Sequence, residues 1–188
     1  MRSGTSFVSM AVCLVLGFAG GYSLRAKRER SGLERNKAIV RRIHQEVWSN
    51  PDNKAAAEAV DQFFAPDFVR HSWRGVTRGL PEFNSGLLKW RAAFPDWSEH
   101  VEDIIAEGDF VVTRFTSDGT QRGDLAAVPG LSPAIPAKGR PLRITELNLW
   151  RIANGKASEQ WDVYDRWGAL IQFGLIDPER ICPAGLGR

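Results

Sequence analysis

Cysteine is nearly absent. Cys13 and Cys182 are the only two in 188 residues and stand near opposite ends of the chain, which removes an intradomain disulfide and leaves a metal site no thiolates. Histidine is almost as scarce. His44, His71 and His100 are scattered, with no HxxxH and no histidine-carboxylate cluster at ligand spacing, so neither a metal nor another cofactor is expected. A surplus of one charge is missing as well. The formal charge of +3 belongs to the leader, where residues 1–30 hold Arg2, Arg25, Lys27, Arg28 and Arg30 against Glu29, while the remainder carries 20 bases and 21 acids. Without a basic stripe the body has no electrostatic footprint for nucleic acid.

What is present defines one globular domain. At 43% hydrophobic residues the chain can offset its ordering entropy, and at 25% charged it is too polar for a polytopic membrane protein. One segment stands apart: Phe7 to Leu24, FVSMAVCLVLGFAGGYSL, carries no charge and is just long enough to cross a hydrocarbon core. Two readings compete for it. A signal peptide would be cut after a small-x-small step such as Gly17-Phe18-Ala19, leaving a secreted or periplasmic domain; an uncleaved single-pass anchor would keep residues 7–24 in the membrane. The basic flank Arg25, Lys27, Arg28, Arg30 resists translocation and favours the anchor, with the domain on the cytoplasmic side. The expected organisation is an anchor or signal over 1–30, a domain over 31–178 and a tail over 179–188.

Within the domain, Ser31 is a candidate N-cap for a helix whose Ile39, Val40, Ile43, Val47 and Trp48 share a face, with Asn50-Pro51 as its stop. His44 falls at the margin of that stripe and His100 on a polar stretch, so both read as surface positions. Asp52 caps a second helix striped by Ala56, Ala59, Val60 and Phe63. DFVRHSW is a short strand, and LPEFNSGLLKWRAAF a third helix with Pro81 in its first turn. From Trp97 the period changes to two. WSEHVEDIIAEGD, FVVTRFTSDGTQ, RPLRITELNLWRIANG and KASEQWDVYDR read as strands, with Gly108-Asp109 and Asn154-Gly155 at hairpin positions and a Pro- and Gly-rich loop between the second and third. WGALIQFGLI closes the chain as a short apolar helix. Helices first and a curved antiparallel sheet afterwards make an α+β fold, in which helices cover one sheet face and leave a cone for a pocket. The seven tryptophans are too dispersed to stack bases, so core packing is their default; Trp73 and Trp97 are candidates for the rim of a pocket.

Alternation sorts the polar residues of the last strands. Gln160, Asp162 and Tyr164 share one face, while Glu159, Trp161, Val163 and Asp165 share the other; in the preceding strand Ile144, Glu146, Asn148 and Trp150 lie together. Polar groups among Ile and Trp on a central strand need either a pocket or partners. A desolvated carboxyl there suits general acid/base chemistry, although an aspartate paired with an arginine is the plainer reading of Asp162. Trp161 and Val163, on the opposite face, have no remaining helix to cover them and point to a homodimer packed sheet to sheet.

The succession NKAIVRRIHQEVWSN, FFAPDFVRHS, RAAFPDW, VEDIIAEGDFVVTRFT, GTQRGD and ELNLWRIANGKASEQWDVYDRWGALIQFG resembles the SnoaL-like polyketide cyclase (ester cyclase) branch of the nuclear-transport-factor-2-like superfamily over about residues 36–175. The resemblance implies a cone-shaped α+β barrel, frequent homodimers, a small hydrophobic substrate and cofactor-independent aldol ring closure of polyketide esters. It makes Asp162 the acid/base, with Glu146, Asn148, His71, Arg114, Tyr164 and Trp97 as substrate-binding candidates. Asn148 would donate to a developing enolate oxygen, and Arg114 would be a clamp or the structural partner of an acid. Glu146 replaces a neutral side chain, and Gln121 replaces the histidine of the family's GTH string. Three classes stay open: a cyclase or isomerase acting by enolisation, an epoxide-hydrolase-like hydrolase recruiting Asp162, Arg114 and Glu146, and a noncatalytic membrane-tethered binding domain.

Overall fold

The computed structural model describes residues 5–126 and 134–181, with side chains described from residue 24 to residue 179. Helix α1 spans Thr5–Arg42 and passes into a π-helical turn, Ile43–Trp48. Ser31 is therefore inside a helix and not its cap. The run Arg25 to Arg30 upstream is made of good helix formers, and Ser31 instead accepts a hydrogen bond from Arg35 one turn later. The apolar run Phe7–Leu24 lies in the first half of α1, and its side chains before Leu24, like Cys182 in the tail, fall outside the described residues. No helix among the described residues is long and apolar enough to cross a membrane.

Helix α2 (Asn53–Phe63) starts as expected, with the Asp52 carboxylate accepting from the backbone N–H groups of Lys54 and Ala55. Strand β1 (Phe64–Ser72) follows directly, then a short β2 (Gly75–Arg78), α3 (Leu80–Ala93), and strands β3 (Ser98–Glu107), β4 (Phe110–Thr120), β5 (Pro141–Ala153) and β6 (Lys156–Tyr164), with α4 (Arg166–Gln172) and α5 (Pro178–Ile181) at the end. The sheet order is β2-β1-β6-β5-β4-β3. Every neighbouring pair is antiparallel except β1 and β6, which run parallel, with α3 and the four strands β2 to β5 between them in the chain. The β5–β6 turn depends on Asn154 and Gly155, both at positive φ (52° and 75°), the pair of values a two-residue turn between right-twisted strands requires.

Packing divides the concave face into three zones along β5. At one end Trp150 and Ile152 join Val40, Ile43, Val47, Val60, Phe64, Phe68, Phe83 and Leu87 in the main core under the helices. At the other, Ile144 and Leu142 pack with Phe94, Trp97, Ala169 and Phe173. Between these apolar clusters sit Glu146 and Asn148. Arg91 of α3 ties the layers together, donating from Nε to Asn53 and from its terminal nitrogens to the carbonyls of Val47, Trp48 and Asn50, so the open end of the first helical rod is satisfied by a buried guanidinium. Burial there lowers the pKa of Arg91.

The convex face is different. Registers align Ile105, Val112, Leu149, Trp161 and His71 in one row across five strands, with Leu147 beside Val163 in the next. Ile105 and Val163 are about two-thirds exposed, at 68% and 66%.

Candidate active site

The β5–β6 register pairs Asn148 with Asp162 and Glu146 with Tyr164, and β4 adds Thr113 opposite Asn148, Phe115 opposite Glu146 and Ser117 opposite Ile144. All of these face the cone. Glu146 and Asp162 are thus diagonal neighbours on adjacent strands, a relation that places their Cβ atoms about 7 Å apart. Glu146 accepts from the Ser117 hydroxyl at 2.5 Å. Asp162 accepts from Nη2 of Arg70 at 2.7 Å through Oδ2, while its Oδ1 is buried without a partner among the described residues. Asn148 Oδ1, Gln160 Oε1 and Arg70 Nε share that condition. Unsatisfied buried polar atoms are rare in folded proteins, and two of these belong to register partners, Asn148 and Asp162, on one face of the sheet.

A second layer comes from the helices and β3. The π-helical turn widens the inward face of the first rod, so Ile43, His44, Val47 and Trp48 all turn to the core. His44 is consequently fully buried, which corrects its sequence reading as a surface position; His100 is exposed as expected. The His44 imidazole bridges Glu99 Oε2 (Nδ1, 2.5 Å) and Thr113 Oγ1 (Nε2, 3.2 Å), and packs edge-on against Phe115 and Trp150. Trp97 Nε1 donates to the other oxygen of Glu99 at 3.3 Å. Gly119 permits that placement of the indole, since a Cβ there would lie 2.8 Å from Trp97 Cε3.

Burial is the main cause that pushes the Glu146 carboxyl up to about 8, and the charge of Glu99 is the next; the Ser117 hydrogen bond and Arg70 pull it back in part. Burial also raises the Tyr164 phenol. Glu146 therefore holds a proton at neutral pH on the strand face it shares with Asp162, and can donate as well as accept.

Of the residues singled out from the sequence, the structure brings together Asp162, Glu146, Asn148, Tyr164 and Trp97. It does not bring His71 or Arg114 to them. His71 lies on the convex face, stacked 5.1 Å from Trp161 and bonded through Nε2 to Glu159. Arg114 is on the convex face as well, fixed by Glu102 and Asp103 of β3. Both follow from strand phase: Phe68 and Arg70 point inward on β1 and Thr113 and Phe115 inward on β4, so His71, next after Arg70, and Arg114, between Thr113 and Phe115, point out. Sequence reasoning missed Arg70, Ser117, Glu99 and His44. The first two share a period-two phase with Phe68 and Phe115, a signal that the adjacent apolar residues Val69, Val111 and Val112 obscure. Gln121 is buried and structural, its amide donating to the carbonyls of Ile135 and Pro136 across the 121–140 loop. No group of three or more metal-ligating side chains occurs among the described residues.

The SnoaL-like polyketide cyclase family model matches residues 38–173. The chain belongs to the SnoaL-like polyketide cyclase family. Solved structures agree on the fold. AclR of Streptomyces galilaeus, assigned as a hydroxylase, superposes with a TM-score of 0.64 at 21% identity, over 77% of this chain and 99% of its own. A protein of Jannaschia sp. CCS1, assigned as a SnoaL-like polyketide cyclase, gives 0.67 at 19% over 77% and 94%. IdmH of Streptomyces antibioticus, assigned as a polyketide cyclase, gives 0.58 at 26% over 74% and 98%. No curated protein is a significant sequence match to this chain. In this SnoaL-like cone the matched span holds every residue of the polar belt.

The raised pKa of Glu146 has a thermodynamic counterpart. Folding retains a proton that the unfolded chain releases near the ordinary 4.5, so stability falls as pH rises from about 4.5 and stops falling, for this group, above about 8. Glu146→Gln removes the titration. Melting temperatures measured from pH 5 to pH 9 should decline less steeply in the variant than in the wild type; parallel curves would show that Glu146 is not protonated on folding.

Proposed function

We propose that the chain is a cofactor-independent ester cyclase, in which Asp162 and Glu146 divide the proton transfers of an intramolecular aldol closure of a hydrophobic carbonyl substrate. Support comes chiefly from one observation: a buried aspartate with one oxygen engaged by Arg70 and the other unpartnered among the described residues, next to a carboxyl that keeps its proton at neutral pH. Asp162 Oδ1 takes the acidic C–H proton between two carbonyls. Asn148 and protonated Glu146 hydrogen-bond the enolate oxygen as it forms. The enolate carbon then bonds to the second carbonyl carbon, and Glu146 delivers its proton to the resulting alkoxide. One proton has left the substrate and one has returned, and Asp162 passes its proton back to Glu146 through the site to reset both. Two carboxyls held at different proton affinities by their surroundings suit these two roles.

Asp162→Asn keeps size and removes the base. With a 1,3-dicarbonyl ester in deuterated buffer, exchange at the α-carbon should fall by about 10²-fold or more in this variant while ligand affinity changes only a few fold. Exchange no faster than buffer in the wild type across a panel of such esters would overturn the acid/base reading in favour of a noncatalytic binding domain. Arg70 between two acids also supplies the set that an epoxide-opening hydrolase uses to activate water, in place of the outward-facing Arg114. Diol formation from a cyclic epoxide, with no exchange into dicarbonyl esters, would support that second reading.

The cellular setting is part of the same proposal. Residues 7–24 anchor the chain in a membrane with the domain on the cytoplasmic side, and the convex row of Ile105, Val112, Leu149 and Trp161 packs against a second copy. The intact chain should resist alkaline extraction from membranes and, once released in mild detergent, should show twice the protomer mass after correction for bound detergent. A free protein beginning near Gly20, or a monomer at tens of micromolar, would contradict the anchor or the dimer respectively.

A further inference from the structure

Two cavities meet at Trp73, where β1 ends. The inner one is a narrow apolar hollow of about 40 Å³ walled by Trp90, Leu142, Ile144, Tyr164 and Phe173 among others. The outer one is a groove of about 430 Å³ lined by Trp73, Asp162, Tyr164, Arg166 and Trp167 among others. Trp73, Tyr164 and Arg166 belong to both. Tyr164 is the register partner of Glu146, and Ile144 precedes Glu146 by two residues on the same face, so this opening leads to the carboxyl pair.

The mouth is not charge-neutral. Arg74 and Arg166 each place a guanidinium over the Trp73 ring, 5.1 and 5.0 Å from its centroid, and neither meets a carboxylate within ion-pair distance among the described residues. The two acids that line the groove are bonded elsewhere, Asp162 through one oxygen to Arg70 and Asp165 to the Gly168 backbone N–H, and neither lies within ion-pair distance of Arg74 or Arg166. Two cations on one indole repel each other, and among the described residues neither forms an ion pair. Both arginines line the inner hollow, so an oxyanion at its mouth would relieve that repulsion and accept from both forks, while the indole, the phenol and the hollow take an apolar body.

We infer that the substrate is an amphiphilic anion, whose carboxylate or phosphate sits between Arg74 and Arg166 and whose apolar carbonyl-bearing part enters towards Glu146 and Asp162. The inference rests on the reading of the cone as the substrate site and adds the charged end of the molecule. A neutral ester would fill the apolar part and leave the two arginines unpaired.

Equilibrium binding to the full chain in detergent can separate these possibilities, with 2-naphthoate, 2-naphthyl phosphate and methyl 2-naphthoate as probes. The carboxylate, the phosphate or both should bind at least tenfold more tightly than the methyl ester, and which of them does identifies the headgroup class. Added sodium chloride should weaken the anions and not the ester. Arg74→Gln with Arg166→Gln should bring the three probes within about twofold of one another, and the Arg74→Lys, Arg166→Lys pair, which keeps the charge, should retain the preference. Equal affinity of acid and ester in the wild type would overturn the inference and leave the cone standing as a neutral-substrate site. Binding of none of the probes would overturn both. A tenfold preference that survives the glutamine pair would place the anion elsewhere and overturn it as well.

Discussion

The register of β5 against β6 is the constraint on which the site depends. Asn154 and Gly155 fix the turn, the turn fixes the pairing, and the pairing sets Asn148 opposite Asp162 and Glu146 opposite Tyr164 on the concave face. A slip of β6 by one residue against β5 would send Asp162 to the convex side and bring Trp161 and Val163 into the cone, and the same slip of β5 would do this to Glu146. Trp150 and Ile152 oppose such a slip because they are locked in the main core, and Ile144 opposes it from the other end. The polar belt is thus held between two apolar clusters that share its strand.

Holding polar groups in that position has a cost, and the molecule offsets it unevenly. Glu99 is fully served by His44, Trp97 and the neighbouring helix end, whose Ser49 hydroxyl accepts from the Glu99 backbone N–H. Arg91 satisfies the carbonyls that would otherwise end blind beneath the cone. Glu146 and Asp162 receive less. One is held by a serine and keeps its proton, the other is held on one side by Arg70, and the Asn148 side-chain oxygen has no partner among the described residues. The contrast between a satisfied supporting layer and an under-satisfied lining is what makes the lining the candidate site, and it does so without reference to relatives.

Much of this was legible in the sequence. The change of period at Trp97 marks the sheet, Asp52 marks a helix start, and alternation around Trp150 sorts Glu146 and Asn148 to one face before any coordinates are known. Failures occurred where local signals conflict. In DFVRHS both Phe68 and Val69 are apolar, so the phase of the strand is ambiguous, and His71 was placed where Arg70 stands. In FVVTRFT adjacent valines raise the same ambiguity, and Arg114 falls outside. His44 is inward because a π-helical turn replaces the 3.6-residue period, and Glu99 lies just before a bulge between Val101 and Asp103. Neither a π-turn nor a bulge announces itself in composition.

The central claim is that one carboxyl of the cone is protonated at neutral pH while the fold is intact. Carbon-13 chemical shifts of glutamate side chains report it directly, with Glu146 assigned by comparison to the Glu146→Gln variant. A titration midpoint near 8 for the Glu146 carboxyl is the result expected. A midpoint in the ordinary carboxylate range near 4.5, in folded protein, would contradict the account.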